Sequence, residues 1–190
     1  MIDLNEARRD VSASSAGGAP FLIAFGLTLL ACALLSFVLS RSTAALLVMF
    51  QGGVALPAAF ALERLMGRKR MDAANPLRPL SIQLAMSQVV ALPVVILAYS
   101  LNPGAVPLAM AAVGGGHFLP YAWLQQTRAY AVLAVAVSIG ALAIQVVLGA
   151  AAFPIVLLWL TVCYWTAAPI VYRNAARVSD LATRVQGQVA

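Results

Sequence analysis

The chain is poor in charge, in histidine and in cysteine. Charged residues make up 9% of its 190 positions. A soluble domain carries about 25%, and a disordered chain needs many charges and few apolar residues, so both classes are excluded. The two cysteines, Cys32 and Cys163, lie in apolar runs and are too few for a disulfide scaffold.

No Asp, Glu, Lys or Arg lies in the middle of any long apolar run. Ion-coupled carriers usually keep an ionisable side chain at that depth, so this absence argues against such a carrier. It also removes the paired carboxylates that acid–base catalysis uses. We therefore expect that the chain is not an enzyme and that it has no cofactor and no metal.

Apolar residues make up 63% of the chain, and the mean hydropathy is +0.93. A helix that spans a membrane needs about 20 such residues in a row. The runs are continuous rather than alternating, which favours helices over the strands of a barrel. The sequence predicts an all-α polytopic membrane bundle of six transmembrane helices, arranged as three helical hairpins, at 20–40, 43–62, 80–101, 104–125, 129–150 and 152–173.

Basic residues near the ends of spans stay on the cytoplasmic side. If the N-terminus is inside, every Lys and Arg except Arg41 falls on that side. We therefore predict a bacterial inner-membrane protein with both termini in the cytoplasm. Residues 1–19 form a cytoplasmic leader, flexible over 11–19, and residues 174–190 form an amphipathic cytoplasmic tail that extends the last helix along the membrane surface.

The N-terminus has two features of export signals. Leu29–Cys32 resembles a lipoprotein cleavage box, and Arg8 with Arg9 resembles a twin-arginine start. However, the apolar run continues after Cys32, and acidic residues interrupt the basic leader. A retained first helix that acts as its own insertion signal is the favoured interpretation.

The second and fourth spans contain an internal repeat. A shift of 63 residues aligns Gly52–Phe60 with Gly115–Trp123, and five of the nine positions are identical. The sixth span has a fainter copy at Thr166–Tyr172. Chance similarity between Gly- and Ala-rich helices is the alternative explanation.

The repeat places one proline in each of these helices. A proline inside a helix removes a hydrogen bond and kinks it, and we expect the fourth helix to be the one that is broken or flexible. A gating hinge is the functional interpretation and close helix packing is the favoured alternative. The residues concerned are Pro57, Pro120, Pro169, Gly114, Gly115 and Gly116.

A few polar side chains lie within the spans. His117 is the one histidine of the chain, and the helix rise places it, Gln88 and Thr166 about 10–12 Å into the hydrocarbon core. We predict a cluster in which His117 faces Gln88, with Thr166 or Tyr164 beside it. His117 is then a packed hydrogen-bonded residue, part of a solute or proton path, a metal or haem ligand, or a catalytic base.

A stripe of small and polar residues on the fifth helix is expected to face the interior. It consists of Ala134, Ser138, Ala141 and Gln145.

The loop between the second and third spans is basic. We expect it to contact anionic lipid headgroups. Nucleic-acid binding needs a larger folded basic face and is not expected. The basic residues of the loop are Arg64, Arg68, Lys69, Arg70 and Arg78.

In size, in its six-span pattern and in the segment GGHFLPYAWL at Gly115–Leu124, the chain resembles a group of small bacterial integral membrane proteins of unknown function. The resemblance implies an architecture and a location but no activity. Our first hypothesis is a small permease- or channel-like protein for a neutral or weakly polar solute that passes near His117 and Gln88. The alternatives are a non-transporting scaffold or accessory subunit and, third, a membrane enzyme acting on lipid. Besides the bilayer, the expected partner is a second copy or another membrane protein.

Overall fold

A computed structural model describes residues 3–66 and 70–189 of the chain, with side chains through residue 178. Every regular element in these residues is helical, which confirms the predicted all-α class. Single 3₁₀ turns at Ala16–Gly18, Pro103–Ala105 and Gly149–Ala151 precede α2, α7 and α9. The α-helices are α1 Leu4–Ser14, α2 Ala19–Leu35, α3 Arg41–Phe50, α4 Gly52–Leu65, α5 Arg78–Val90, α6 Leu92–Leu101, α7 Val106–Leu124, α8 Ala129–Leu148 and α9 Ala152–Val189.

Among the described residues, four helical stretches are long and apolar enough to cross a membrane. They are Ala16–Leu35, Arg41–Leu65, Arg78–Leu101 and Ala129–Val178, the last of which contains both α8 and α9. Helix α7, with 19 residues that include His117, three glycines and two prolines, is not one of these four. These apolar helices indicate a membrane protein.

The core lies where α2, α7, α8 and α9 meet. Helix α2 packs against α9 and α4, α7 packs against α8, and α8 packs against α9. Small residues allow close approach: the indole of Trp159 lies against Gly140 and donates its N–H to the carbonyl of Ala136 at 2.9 Å. On α8, Ala134 and Ala141 of the predicted inward stripe are buried, and Ser138 and Gln145 are half-buried.

The N-terminal segment is not a flexible leader, so that prediction is wrong. Residues Leu4–Ser14 form α1, which packs against α9, and the chain then enters α2 through a single turn. Ala7 and Val11 are one helical turn apart and are 1% and 0% exposed. This short apolar face is the buried side of a largely polar helix.

The interruptions of the helices lie elsewhere than expected. Helix α7 is continuous through Gly114–Gly116 and Pro120, whereas the second predicted span breaks at Gln51 and the third at Ala91. Pro93, at the start of α6, has no N–H to continue the α5 hydrogen-bond ladder. In α7, close contacts at Gly114 and Gly115 with neighbouring helices stabilise the continuous helix.

The end of α2 differs from the sequence expectation. Helix α2 ends at Leu35 rather than at residue 40, and residues 36–38 form turns. Helix α9 runs without a break to Val189, so the tail continues the last helix, as the sequence predicts. Val171 of the proposed amphipathic face is buried, while the side chains of Leu181 and Val185 lie outside the described part.

Candidate functional site

The polar contact of the predicted site joins α5 to α7. Nδ1 of His117 lies 3.0 Å from Oγ of Ser87, and the tautomer of the ring decides which of them donates. His117 is half-buried and Ser87 is exposed at the edge of the bundle. The pair is therefore accessible from outside the helix bundle.

The structure places Ser87 rather than Gln88 opposite His117, so the pairing expected from the sequence is one residue out. The rise per residue gives the position of a side chain along the helix axis. It does not give the direction of the side chain, which turns by about 100° from one residue to the next. Gln88 is half-buried, and its side chain makes no hydrogen bond to any described residue.

An aromatic cluster continues from His117 into the core. The ring of His117 lies 5.0 Å from that of Tyr121 and 6.0 Å from that of Phe118. Phe118 in turn packs 5.8 Å from Tyr130 and edge-on at 5.5 Å from Tyr164. These geometries are those that aromatic pairs prefer, so the cluster ties α7 to α8 and α9.

Tyr130 connects this cluster to the N-terminal turn. Its hydroxyl donates to the carbonyl of Gly17 at 2.6 Å, and the side chain is 3% exposed. Gly17 and Gly18 have φ angles of 67° and 80°, a region that favours glycine. A Cβ at Gly18 would also collide with the Tyr130 hydroxyl, so both glycines are needed for this turn.

Two of the other predicted site residues have different surroundings. Tyr164 reaches the cluster through Phe118. Thr166 is exposed and donates to the carbonyls of Val162 at 2.8 Å and Cys163 at 3.0 Å of its own helix, a common local bond for threonine in helices. The structure therefore links Tyr164 to His117 through Phe118 and leaves Thr166 out of the cluster.

The glycines and prolines of the repeat divide into packed and open positions. At Gly115 a Cβ would lie 2.8 Å from the carbonyl oxygen of Ala134 and would collide with Ser138, whereas at Gly116 it would meet nothing within 4 Å. Pro57, Pro120 and Pro169 all lie within helices. Close packing explains Gly115, while Gly116 leaves open space beside His117.

The two aligned copies of the repeat share one pattern of exposure. Gly53 and Gly116 are exposed with open space at the Cβ position, and the aligned prolines and aromatic residues that follow are exposed too. Ala55 and Phe118, which also align, are both buried. Helices α4 and α7 thus turn the same side of the repeat toward their surroundings.

The basic residues predicted to contact lipid are exposed where they are described. These are Arg64, Arg70 and Arg78. Arg68 and Lys69 lie outside the described residues.

Sequence reasoning missed a polar network that holds α1 in place. The side-chain amide of Asn75, 4% exposed, donates to the carbonyl of Ala7 at 2.9 Å and to a carboxylate oxygen of Asp10 at 2.8 Å. Arg8 donates through Nε to the carbonyl of Trp123 at 3.0 Å, with its guanidinium 4.5 Å from the indole ring. Nothing in the sequence distinguishes Asn75 and Arg8 from the other polar residues, so these contacts could not be predicted from it.

A second missed contact lies inside the membrane region. The hydroxyl of Thr28 on α2 lies 2.7 Å from Oε1 of Gln51, and Gln51 is 6% exposed at the break between α3 and α4. A buried amide needs a partner, and the position of Gln51 beside a glycine pair is a sequence signal that could have indicated this contact.

A family model for a family of unknown function, DUF7010, matches residues 4–174. The chain belongs to this family. No curated protein and no solved structure matches the sequence. The resemblance to an uncharacterised family is thereby confirmed, and the match includes α1 as well as the apolar helices.

The chemistry available at His117 is hydrogen bonding. The imidazole and the Ser87 hydroxyl each donate and accept, and within the described residues no group of three His, Cys, Asp or Glu side chains comes together. The site can therefore exchange hydrogen bonds with a neutral group, such as an amide or an alcohol.

Proposed function

We propose that the chain is a six-span protein of the bacterial inner membrane with both termini in the cytoplasm, and that it acts as a non-transporting scaffold. It performs no catalytic step in this proposal. Two copies associate along α5, and the amide of Gln88 supplies the polar contact between them. The observation that carries the proposal is the low burial of α5, on which the half-buried amide of Gln88 makes no hydrogen bond to any described residue.

The distribution of arginines supports the six-span topology. Arg8 contacts Trp123 at the end of α7, and Asn174 of α9 donates to the carbonyl of Gln125 at 3.5 Å, so these segments lie at one end of the bundle. Arg41 instead approaches the carbonyl of Ala150 at 3.4 Å, at the other end. The basic residues that the positive-inside rule keeps on the cytoplasmic side thus lie at one end of the helix bundle, and Arg41 lies at the other end.

Helix α5 is poorly covered by the rest of the chain. In the most apolar window of Arg78–Leu101, 6% of the residues are buried, against 22–44% in the other three stretches. No residue of α5 is buried, and in α6 only Val95 is. The side chain of Gln88 lies on this helix without a described hydrogen-bond partner.

An amide without a hydrogen bond is costly in hydrocarbon. An amide has both a donor and an acceptor, so two copies of Gln88 related by a two-fold axis can satisfy each other. Two-fold dimers are the commonest assemblies. Polar side chains at membrane helix interfaces contribute about 0.6 to 2 kcal/mol each.

Cysteine cross-linking in native membranes tests the dimer. Cys32 and Cys163 are first replaced by alanine. Ala85→Cys, one turn before Gln88 on the same face and exposed, is expected to form a disulfide-linked dimer, whereas Ile139→Cys on the exposed face of α8 is not. Adding Gln88→Leu is expected to abolish the cross-link and Gln83→Leu to leave it. Equal cross-linking at positions 85 and 139, or none at 85, would contradict the dimer.

Transport of a neutral solute is the second candidate, favoured by the His117–Ser87 pair beside the open space at Gly116. The open depressions that lie beside Trp165 and beside Trp123 do not include His117 or Gln88, so the scaffold is preferred. Uptake of a small polyol into proteoliposomes separates the two. Uptake above that of empty vesicles, lost in His117→Ala, would support transport; the scaffold proposal expects no uptake in either.

Anionic lipid headgroups are proposed as partners of the loop between α4 and α5. Its support is the exposure of Arg64, Arg70 and Arg78 on the side that faces an anionic leaflet in this topology. We expect the Arg70→Gln/Arg78→Gln double variant to be retained less than the native chain on anionic vesicles and equally well on zwitterionic vesicles. Equal retention of both proteins on anionic vesicles would contradict the proposal.

A further inference from the structure

A polar groove lies between α1 and the turn that joins α7 to α8. It is a shallow depression of about 630 Å³ that is open to the surroundings. Arg8, Arg9 and Arg128 line it, together with Trp123 and Thr127, and none of its lining residues is acidic. Three guanidinium groups thus share one concave surface that has no carboxylate of its own.

The arginines of this groove differ in how they are held. Arg8 uses two of its N–H groups on the carbonyl of Trp123 and stacks on the indole, so its remaining donors have a fixed direction. Arg9 and Arg128 are exposed, and neither makes an ion pair or side-chain hydrogen bond to any described residue. Two arginines therefore have free donors beside one that is already oriented.

Guanidinium groups bind phosphate through paired hydrogen bonds. We propose that this groove binds a phosphate group, and that the phosphate is that of an anionic lipid headgroup. Helix α8 begins at the groove, and the positive end of its dipole adds to the attraction. Trp123 is the last residue but one of α7, and tryptophans are typical of the level at which lipid headgroups lie.

The assignment to lipid depends on the proposed spans, because only they place the groove at the headgroup level. Binding of phosphate as such does not depend on them. Binding measurements on the full chain in detergent micelles therefore test the phosphate site alone. The topology is tested separately, by labelling of accessible cysteines.

The experiment compares the native chain with Arg9→Gln/Arg128→Gln by native mass spectrometry. The probes are phosphatidylglycerol, phosphatidylcholine and glycerol 1-phosphate. A hydrogen bond to a charged group contributes about tenfold or more to affinity, so the double variant, which loses two arginines, is expected to bind phosphatidylglycerol about 100-fold more weakly. Phosphatidylcholine and glycerol 1-phosphate are expected to bind weakly to both proteins.

The matched control is Arg177→Gln, which removes an exposed arginine outside the groove and is expected to leave binding unchanged. Arg9→Lys/Arg128→Lys retains the charge and guards against a folding defect; it is expected to bind with intermediate affinity. Equal weakening by Arg177→Gln, or native affinity in Arg9→Gln/Arg128→Gln, would overturn the phosphate site. If glycerol 1-phosphate binds as tightly as the lipid and is lost in the same variant, the lipid assignment is overturned and the phosphate site stands.

Discussion

Adjacent glycines on α7 provide the sharpest test of how the helices pack. A Cβ added at Gly115 would collide with Oγ of Ser138 and would lie 2.8 Å from the carbonyl oxygen of Ala134. At Gly116 a Cβ would meet nothing within 4 Å. Gly115→Ala and Gly116→Ala are therefore the same change on neighbouring residues with opposite expected effects.

The backbone carbonyl of Ala134 cannot rotate away, so Gly115→Ala must push α7 and α8 apart. Overpacking of this kind costs about 1–3 kcal/mol, which corresponds to a fall of about 2–12 °C in Tm for a chain of this size. Gly116→Ala instead gains the helix propensity of alanine, up to about 1 kcal/mol. Thermal unfolding in one detergent, followed by circular dichroism, measures both.

The serine is the second part of this test. Ser138→Ala removes the colliding hydroxyl, but a Cβ at Gly115 would still lie 3.1 Å from the Cβ of residue 138 and 2.8 Å from the Ala134 carbonyl oxygen. The double variant is expected to recover only part of the lost stability. Equal Tm values for the Gly115→Ala and Gly116→Ala variants would contradict the close contact between α7 and α8.

Three further substitutions test single contacts. Tyr130→Phe removes the bond to the Gly17 carbonyl and is expected to cost about 1–3 kcal/mol; Tyr99→Phe is the control, and equal melting of the two would contradict the contact. Asn75→Ala frees α1 and should speed proteolytic cleavage before residue 15, whereas Asn102→Ala should not. Thr28→Val leaves the amide of Gln51 without its partner and should lower Tm by a few degrees, while Thr43→Val, at an exposed helix start, should change it less.

The sequence was sufficient for the helical class and for the apolar helices, because continuous apolar runs have one stable form in hydrocarbon. It did not reveal where those helices break. The segments around Pro57 and Pro120 are identical at five of nine positions, yet only the repeat containing Pro57 directly follows an interruption within its predicted span, at Gln51. The difference comes from tertiary contacts, since Gly115 of α7 is enclosed by α8 while Gly52 meets no neighbouring atom.

The partners of His117 in the candidate site could not be predicted from the sequence. His117 lies among aromatic residues of its own helix and of α8 and α9, which a helical spacing alone does not specify. The docking of α1 was missed because Ala7 and Val11 form a face of only two small residues. Its stability comes from the bonds of Asn75 and Arg8, which join residues more than 60 positions apart.

Labelling of single cysteines from the two sides of the membrane tests the central claim, six spans with the arginine-rich end in the cytoplasm. In a chain without Cys32 and Cys163, cysteine is placed at Ala73 or at Ala150, both exposed and at opposite ends. An impermeant maleimide is expected to label position 150 in intact cells and position 73 only after permeabilisation. Labelling of position 73 in intact cells, or protection of position 150, would contradict the account.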